Sequence, residues 1–99
     1  MKRKRLRIQS QAQEEINNAF EWYFERSPAA ADAFLTEVGT SLKQIVSSPQ
    51  IYHPYTKGTR RRVLARFPYS VIFLEMDDVI LVVAVAHAKR RAGYWLGRI

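Results

Sequence analysis

The chain contains no cysteine. Disulfide bridges and cysteine-ligated zinc are therefore excluded, and nothing in the sequence asks for an oxidising compartment. Long apolar runs are also missing. The longest, from Val79 to Ala86, has the length of a strand and not of a membrane span. The opening MKRKRLRIQS is basic but leads into no apolar stretch, so no signal peptide is expected and the cytoplasm is the expected compartment. Repeats, low-complexity segments and linkers are absent. A chain of 99 residues fits one domain, 1–99, with a real but thin core and little room for a deep active site.

Acidic residues are scarce in one half only. Residues 1–49 hold seven Lys/Arg against six Asp/Glu, whereas residues 50–99 hold nine against three. Most of the net charge of +7 thus belongs to the second half. A compact cationic half points to a polyanionic partner, whether nucleic acid, an acidic protein segment or a membrane surface; a solvated basic face is the plainer alternative.

Hydrophobic periodicity gives the element order. Leu6 and Ile8 alternate with polar neighbours in a first strand over 5–9. Ser10 with Gln13 reads as a capping box opening a helix. Its apolar stripe is Ala12, Ile16, Ala19, Phe20, Tyr23 and Phe24, with Trp22 off the stripe. Ser27-Pro28 starts a second helix, and Ser48-Pro49 ends it. Its stripe is Ala31, Phe34, Leu35, Val38, Leu42, Ile45 and Val46, and Gly39 inside it suggests close packing. With almost no link between them, the helices should form a hairpin.

Residues 50–59 read as a loop. The period then becomes two. A second strand over 60–67 places Arg60, Arg62, Leu64 and Arg66 on one face, with Arg61, Val63, Ala65 and Phe67 on the other. Pro68 interrupts it. A third strand covers 69–76, Asp77-Asp78 forms a turn, and Val79 to Ala86 is a fourth. That fourth strand is apolar on both faces and should be central, with the first strand beside it. The predicted fold is α+β, in the order β-α-α-β-β-β, with the helix hairpin on one face of a small, mainly antiparallel four-stranded sheet. The hairpin shields one face. The C-terminal tail or a partner must shield the other.

The basic first strand, the helix hairpin, the Arg-rich second strand, Phe67-Pro68-Tyr69, and Ala84-Val85-Ala86-His87 followed by Lys89-Arg90-Arg91 and Gly93-Tyr94-Trp95 resemble the RelE/ParE superfamily. These are growth-inhibiting toxins of type II toxin–antitoxin modules, including plasmid-stabilisation systems. The resemblance spans essentially the whole chain and implies the fold just derived. It implies no cofactor or metal and no membrane partner. It implies an acidic, DNA-binding antitoxin as partner, with operator DNA bound only through that antitoxin. It also implies one of two targets. ParE-like members inhibit DNA gyrase, whereas RelE-like members are ribosome-dependent, metal-independent mRNA endoribonucleases. A member kept only as a co-repressor is a third reading.

Transesterification of RNA needs a base for the 2′-OH, a cation for the phosphorane and an acid for the leaving oxygen. The resemblance matches Tyr94 and Arg61 to these roles; Arg90 can reach the site from a neighbouring position, and His87 is the candidate base. Histidine is the side chain whose ordinary titration lies nearest neutrality; a strand-end histidine can instead bond the backbone or pack on Trp95. The pattern departs from RelE where Ser70 and Ala88 stand at positions usually held by Arg, which favours the ParE-like reading. Arg60, Arg62, Arg66, Lys89, Arg91 and Trp95 are the candidates for antitoxin or target contact. Arg62 and Arg66 are expected on one strand face, and Tyr94-Trp95 either as a lid on the sheet or as a stacking platform.

Overall fold

In the computed structural model, which describes residues 4–99, β1 (Arg5–Ile8) runs straight into α1 (Ser10–Arg26). The expected capping box does not form. Gln9 ends the strand, its N–H bonding the Val82 carbonyl, and also caps the helix, so Ser10 is already helical. Gln13 reaches Asn17 at 3.0 Å instead. The second start signal holds: Ser27 Oγ accepts from the Ala30 N–H at 3.2 Å, with Pro28 opening α2 (Pro28–Ser47). Ser27 alone links the two helices.

The sheet has five strands, not four, in the order β1-β5-β4-β3-β2. The extra one is β2 (His53–Pro54), a two-residue edge pairing within the expected loop, between short 3-10 turns. β3 (Arg60–Val63), β4 (Tyr69–Glu75) and β5 (Val79–His87) form the antiparallel meander. β1 adds to β5 in parallel. β5 is interior as expected, although β4 holds the middle position.

β3 is half the predicted length. Backbone N–H groups of Ala65 and Arg66 turn to the Glu37 carboxylate of α2, and Leu64 N–H bonds the Tyr69 carbonyl. The chain rounds a corner at 64–68. Arg62 and Arg66 therefore share no strand face.

Side chains alternate across the sheet. Val71, Phe73, Ile80, Val82 and Val85 meet the helices, where Ala12, Ile16, Ala19, Phe34, Val38 and Ile45 close the main core. Phe24 and Leu35, placed on the stripes, are largely exposed, and Ser41 is buried in their stead. Ile72, Val83, Ala84 and Trp95 form a second core on the opposite face. β5 serves both cores by alternation, which a bulge shifts by one: Val82 opposes Phe73 while Ala84 opposes Ile72, so Val83 is an added residue.

The tail thus settles what covers the second face. It turns at Gly93, whose φ is +79°, and lays Trp95 on the sheet at 2% exposure. Of the two expected covers, tail or partner, it is the chain's own tail that lies over this face.

Gly39 also departs from expectation. A Cβ there would meet nothing within 4 Å, so no close packing requires glycine. Gly39→Ala should stabilise the protein by about 1 kcal/mol through helix propensity, read as a higher denaturation midpoint.

Candidate functional site

Beyond Ile8 the first strand leaves the sheet while β5 continues to His87, so edge groups of β5 need other partners. Side chains supply them. Arg98 Nη1 donates to the Val83 carbonyl at 3.1 Å, and the Val85 N–H donates to Glu15 Oε1 at 2.9 Å. The same Glu15 carboxylate takes both terminal nitrogens of Arg98 at 3.0 Å and the Tyr94 hydroxyl. Gln9 Nε2 donates to the Arg98 carbonyl at 3.1 Å. This is a two-pronged ion pair whose side chains are 16% and 13% exposed, and it latches the tail to α1 and β5.

The latch fixes protonation. The hydrogen bond to Glu15 raises Arg98's hold on its proton, outweighing burial. Burial, and then the bond to Glu15, push the Tyr94 hydroxyl well above the usual tyrosine value of 10.0, although Arg90 and Arg98 oppose the shift. Tyr94 therefore stays neutral in the folded protein where an unfolded tyrosine ionises. Its contribution to stability is complete below pH 10 and is lost as pH rises beyond it. Tyr94→Phe should flatten the alkaline decline in stability without removing it, since burial also raises Tyr23 and Tyr69. Urea midpoints measured between neutrality and strong alkali test this.

Tyr94 also stands between two hollows. A groove of about 550 Å3 lies beside α1, bordered by Trp22, Tyr23, Tyr69, His87, Lys89 and Arg90. A pocket of about 200 Å3 lies on the tail side, bordered by Tyr55, Arg61, Ile72, Arg90, Arg91 and Trp95. The four residues considered for RNA cleavage, Arg61, His87, Arg90 and Tyr94, all border the smaller pocket. Their functional groups are differently engaged. The His87 ring packs edge-on against Tyr69, 4.9 Å between centroids, and not on Trp95. Its Nδ1 accepts from the Lys89 N–H at 3.0 Å, so that nitrogen is already engaged within the chain. The Tyr94 hydroxyl is committed to Glu15. Arg61 lies over the Tyr55 ring at 4.4 Å and Arg90 over the Tyr94 ring at 3.8 Å.

The candidates for partner contact separate. Arg60 and Arg62 point to the helix side, where Arg60 Nη1 bonds the Tyr52 carbonyl at 2.9 Å and Arg62 Nη1 the Tyr52 hydroxyl at 2.8 Å. Arg66 is exposed at the 64–68 corner, over Phe67. Lys89 and Arg91 are exposed beyond β5. Trp95 is core, so it cannot serve as an exposed contact or stacking platform. Trp22, 51% exposed with Arg26 stacked 3.7 Å over it, is the tryptophan that faces out.

Glu15 and Arg98 were not among the residues singled out by sequence. Glu15 carries a signal in hindsight: it lies three after Ala12 and four before Ala19, beside the apolar stripe of α1. Arg98 carries none. Among the described residues no group of three His, Asp or Glu side chains gathers where it could hold a metal, and no helix is long and apolar enough to cross a membrane.

Comparison with known proteins adds three findings. A family model described as "ParE toxin of type II toxin-antitoxin system, parDE" matches residues 6–92. Toxin ParE2 of Mycobacterium tuberculosis, from strains CDC 1551 / Oshkosh and ATCC 25618 / H37Rv, is 28% identical over 85 residues, covering 85% of this chain and 81% of that protein. A solved structure described as "Chromosomal ParDE TA system from P. aeruginosa" shares the fold, with a TM-score of 0.78 over 87% of this chain and 97% of that one, at 17% identity.

Proposed function

Because this chain belongs to the ParE toxin family of type II toxin–antitoxin systems, we propose that it arrests growth by binding DNA gyrase, without cutting RNA, and that a cognate antitoxin neutralises it. The observation that carries the binding mode is the commitment of Tyr94 and His87. General acid–base cleavage needs a proton donor and a proton acceptor free to face one phosphate. Here the phenol donates to Glu15 and is held neutral, and the imidazole accepts from the backbone of Lys89. Ser70, which borders the smaller pocket, brings no charge to it.

The antitoxin reading draws on the larger groove. Its walls combine Trp22, Tyr23 and Tyr69 with Lys89 and Arg90, which suits a partner segment that is apolar on one side and acidic on the other. Operator DNA is reached through that antitoxin.

Purified protein added to gyrase in a supercoiling assay should inhibit it, and addition to a translating ribosome extract should leave mRNA intact. In cells, expression should give filaments with DNA damage, relieved by the antitoxin gene. Tyr94→Phe, which keeps the ring, should remain toxic. Cut mRNA, together with loss of toxicity in a folded Tyr94→Phe variant, would replace this reading with the ribonuclease one.

A further inference from the structure

We propose that the outer seam of the helix hairpin, along Phe20, Phe24 and Leu35, is a docking surface for a cationic amphipathic helix of a partner protein. The inference stands apart from the groove and from the identity of the toxin's target.

The seam is apolar where burial does not require it. On one flank of the buried row Ala12, Ile16 and Ala19, α1 turns Glu15, Asn18 and Trp22 toward the groove. Phe20 and Phe24 project from the other flank, one turn apart, and stack with 5.7 Å between centroids. Phe24 is 51% exposed and Leu35 of α2 is 42% exposed, so neither is drawn into the core although both lie on apolar stripes. The helices run back along each other from Ser27, and Phe20 and Leu35 stand seven and eight residues from that joint, at matching heights. An exposed apolar strip with a polar rim is the usual mark of a protein contact. Gly39, one turn beyond Leu35, has open space where a Cβ would sit, so a partner backbone can come close there.

Charge decides the partner. Residues 10–49 hold six Asp/Glu against two Lys/Arg, whereas the rest of the chain holds three against fourteen. The hairpin is thus an acidic body on a cationic protein. Glu15 and Glu37 are spent within the fold, on the tail and on the 64–68 corner, and Glu25 pairs with Arg26 at 3.8 Å. Glu21 and Asp32 are exposed and, among the described residues, pair with no cation. Helical spacing sets Glu21 one turn from Phe24 and Asp32 one turn from Leu35, so a carboxylate flanks the seam on each side. A helix with an apolar stripe between two rows of Lys or Arg matches this pattern. A second copy of this chain laid seam to seam would set carboxylate against carboxylate, and an acidic segment or an anionic lipid surface would meet the same repulsion.

The test uses fluorescence anisotropy of the whole protein with a dye-labelled Leu/Lys peptide of about 18 residues, five helical turns, its leucines at helical spacing, beside a Leu/Glu peptide of the same pattern. The Leu/Lys peptide should bind, and Phe24→Ala/Leu35→Ala should weaken it at least about tenfold. The same variant should keep the wild-type melting temperature within about 5 °C, because both side chains are largely exposed. Ile51→Ala/Met76→Ala removes exposed apolar side chains elsewhere and should change binding less than about twofold. Glu21→Gln/Asp32→Asn should weaken binding and flatten its dependence on salt. No binding of the Leu/Lys peptide, or equal losses in the two alanine pairs, would overturn the proposal. So would a Leu/Glu peptide that loses as much affinity in Phe24→Ala/Leu35→Ala, or a wild-type dimer in sedimentation that this variant dissociates, which would give the seam to a second copy.

Discussion

Replacing Trp95 by alanine should cost about 3–5 kcal/mol, the usual loss for truncating a buried aromatic side chain. The indole closes the core over Ile72, Val83 and Ala84, and no neighbouring element stands ready to take its place. A domain of this size is stable by only about 5–15 kcal/mol in total, so the melting temperature should fall by on the order of 20 °C. Trp95→Phe keeps most of the buried area and should lose much less. A Trp22→Phe background simplifies the measurement, because it leaves Trp95 as the single indole and its emission then reports the tail directly. A drop of under about 5 °C on truncation would mean that the tail is a loose flap and not part of the core.

Removing the latch carboxylate with Glu15→Ala should cost about 3 kcal/mol. The loss exceeds that of one ion pair because the carboxylate serves Arg98, Tyr94 and the Val85 N–H together, and all three are left in a largely buried site. Glu15→Gln should cost less, since an amide oxygen still accepts from some of these donors. Replacing both charges, as in Glu15→Leu/Arg98→Met, should recover a good part of the loss, because a buried ion pair often contributes less than apolar groups of similar volume. A double-mutant cycle on Glu15 and Arg98 by urea denaturation should give a coupling of about 2 kcal/mol. Additive single losses would show that the two side chains act separately and that there is no latch. Tail loosening should also raise amide exchange at Val85, whose N–H has lost its acceptor.

The two helices were legible because they announce themselves locally. Ser27-Pro28 is a start signal at the chain level, and the stripe through Ala31, Phe34, Val38 and Ile45 has helical spacing; all four are buried. The apolar run of β5 likewise announced an interior strand with two covered faces. Reading failed where a residue's role depends on a distant partner. Leu64 to Phe67 alternates like a strand, but Glu37 of α2 draws the backbone into a corner there. Ser10 and Gln13 spell a cap, yet the Gln9 N–H bonds the Val82 carbonyl and the helix starts one residue earlier.

The candidate site divides in the same way. The cationic run after β5 and the Tyr-Trp pair stood out in the sequence as chemistry-bearing residues, and Arg61, Arg90 and Tyr94 do border one pocket. Composition could not tell that Trp95 turns inward while Trp22 faces out. Nor could it show that Glu15, 79 residues from Tyr94, spends its charge on the tail.

By itself the sequence determined the order of the two helices and the four longer strands, the burial of β5 on both sides and the concentration of positive charge in the second half, because periodicity and charge count are properties of neighbours along the chain. Only the tertiary structure decided what covers the second face, which cations remain unpaired and which tyrosine is held neutral. Those outcomes turn on ion pairs and packing between segments far apart in sequence, and no local pattern records them.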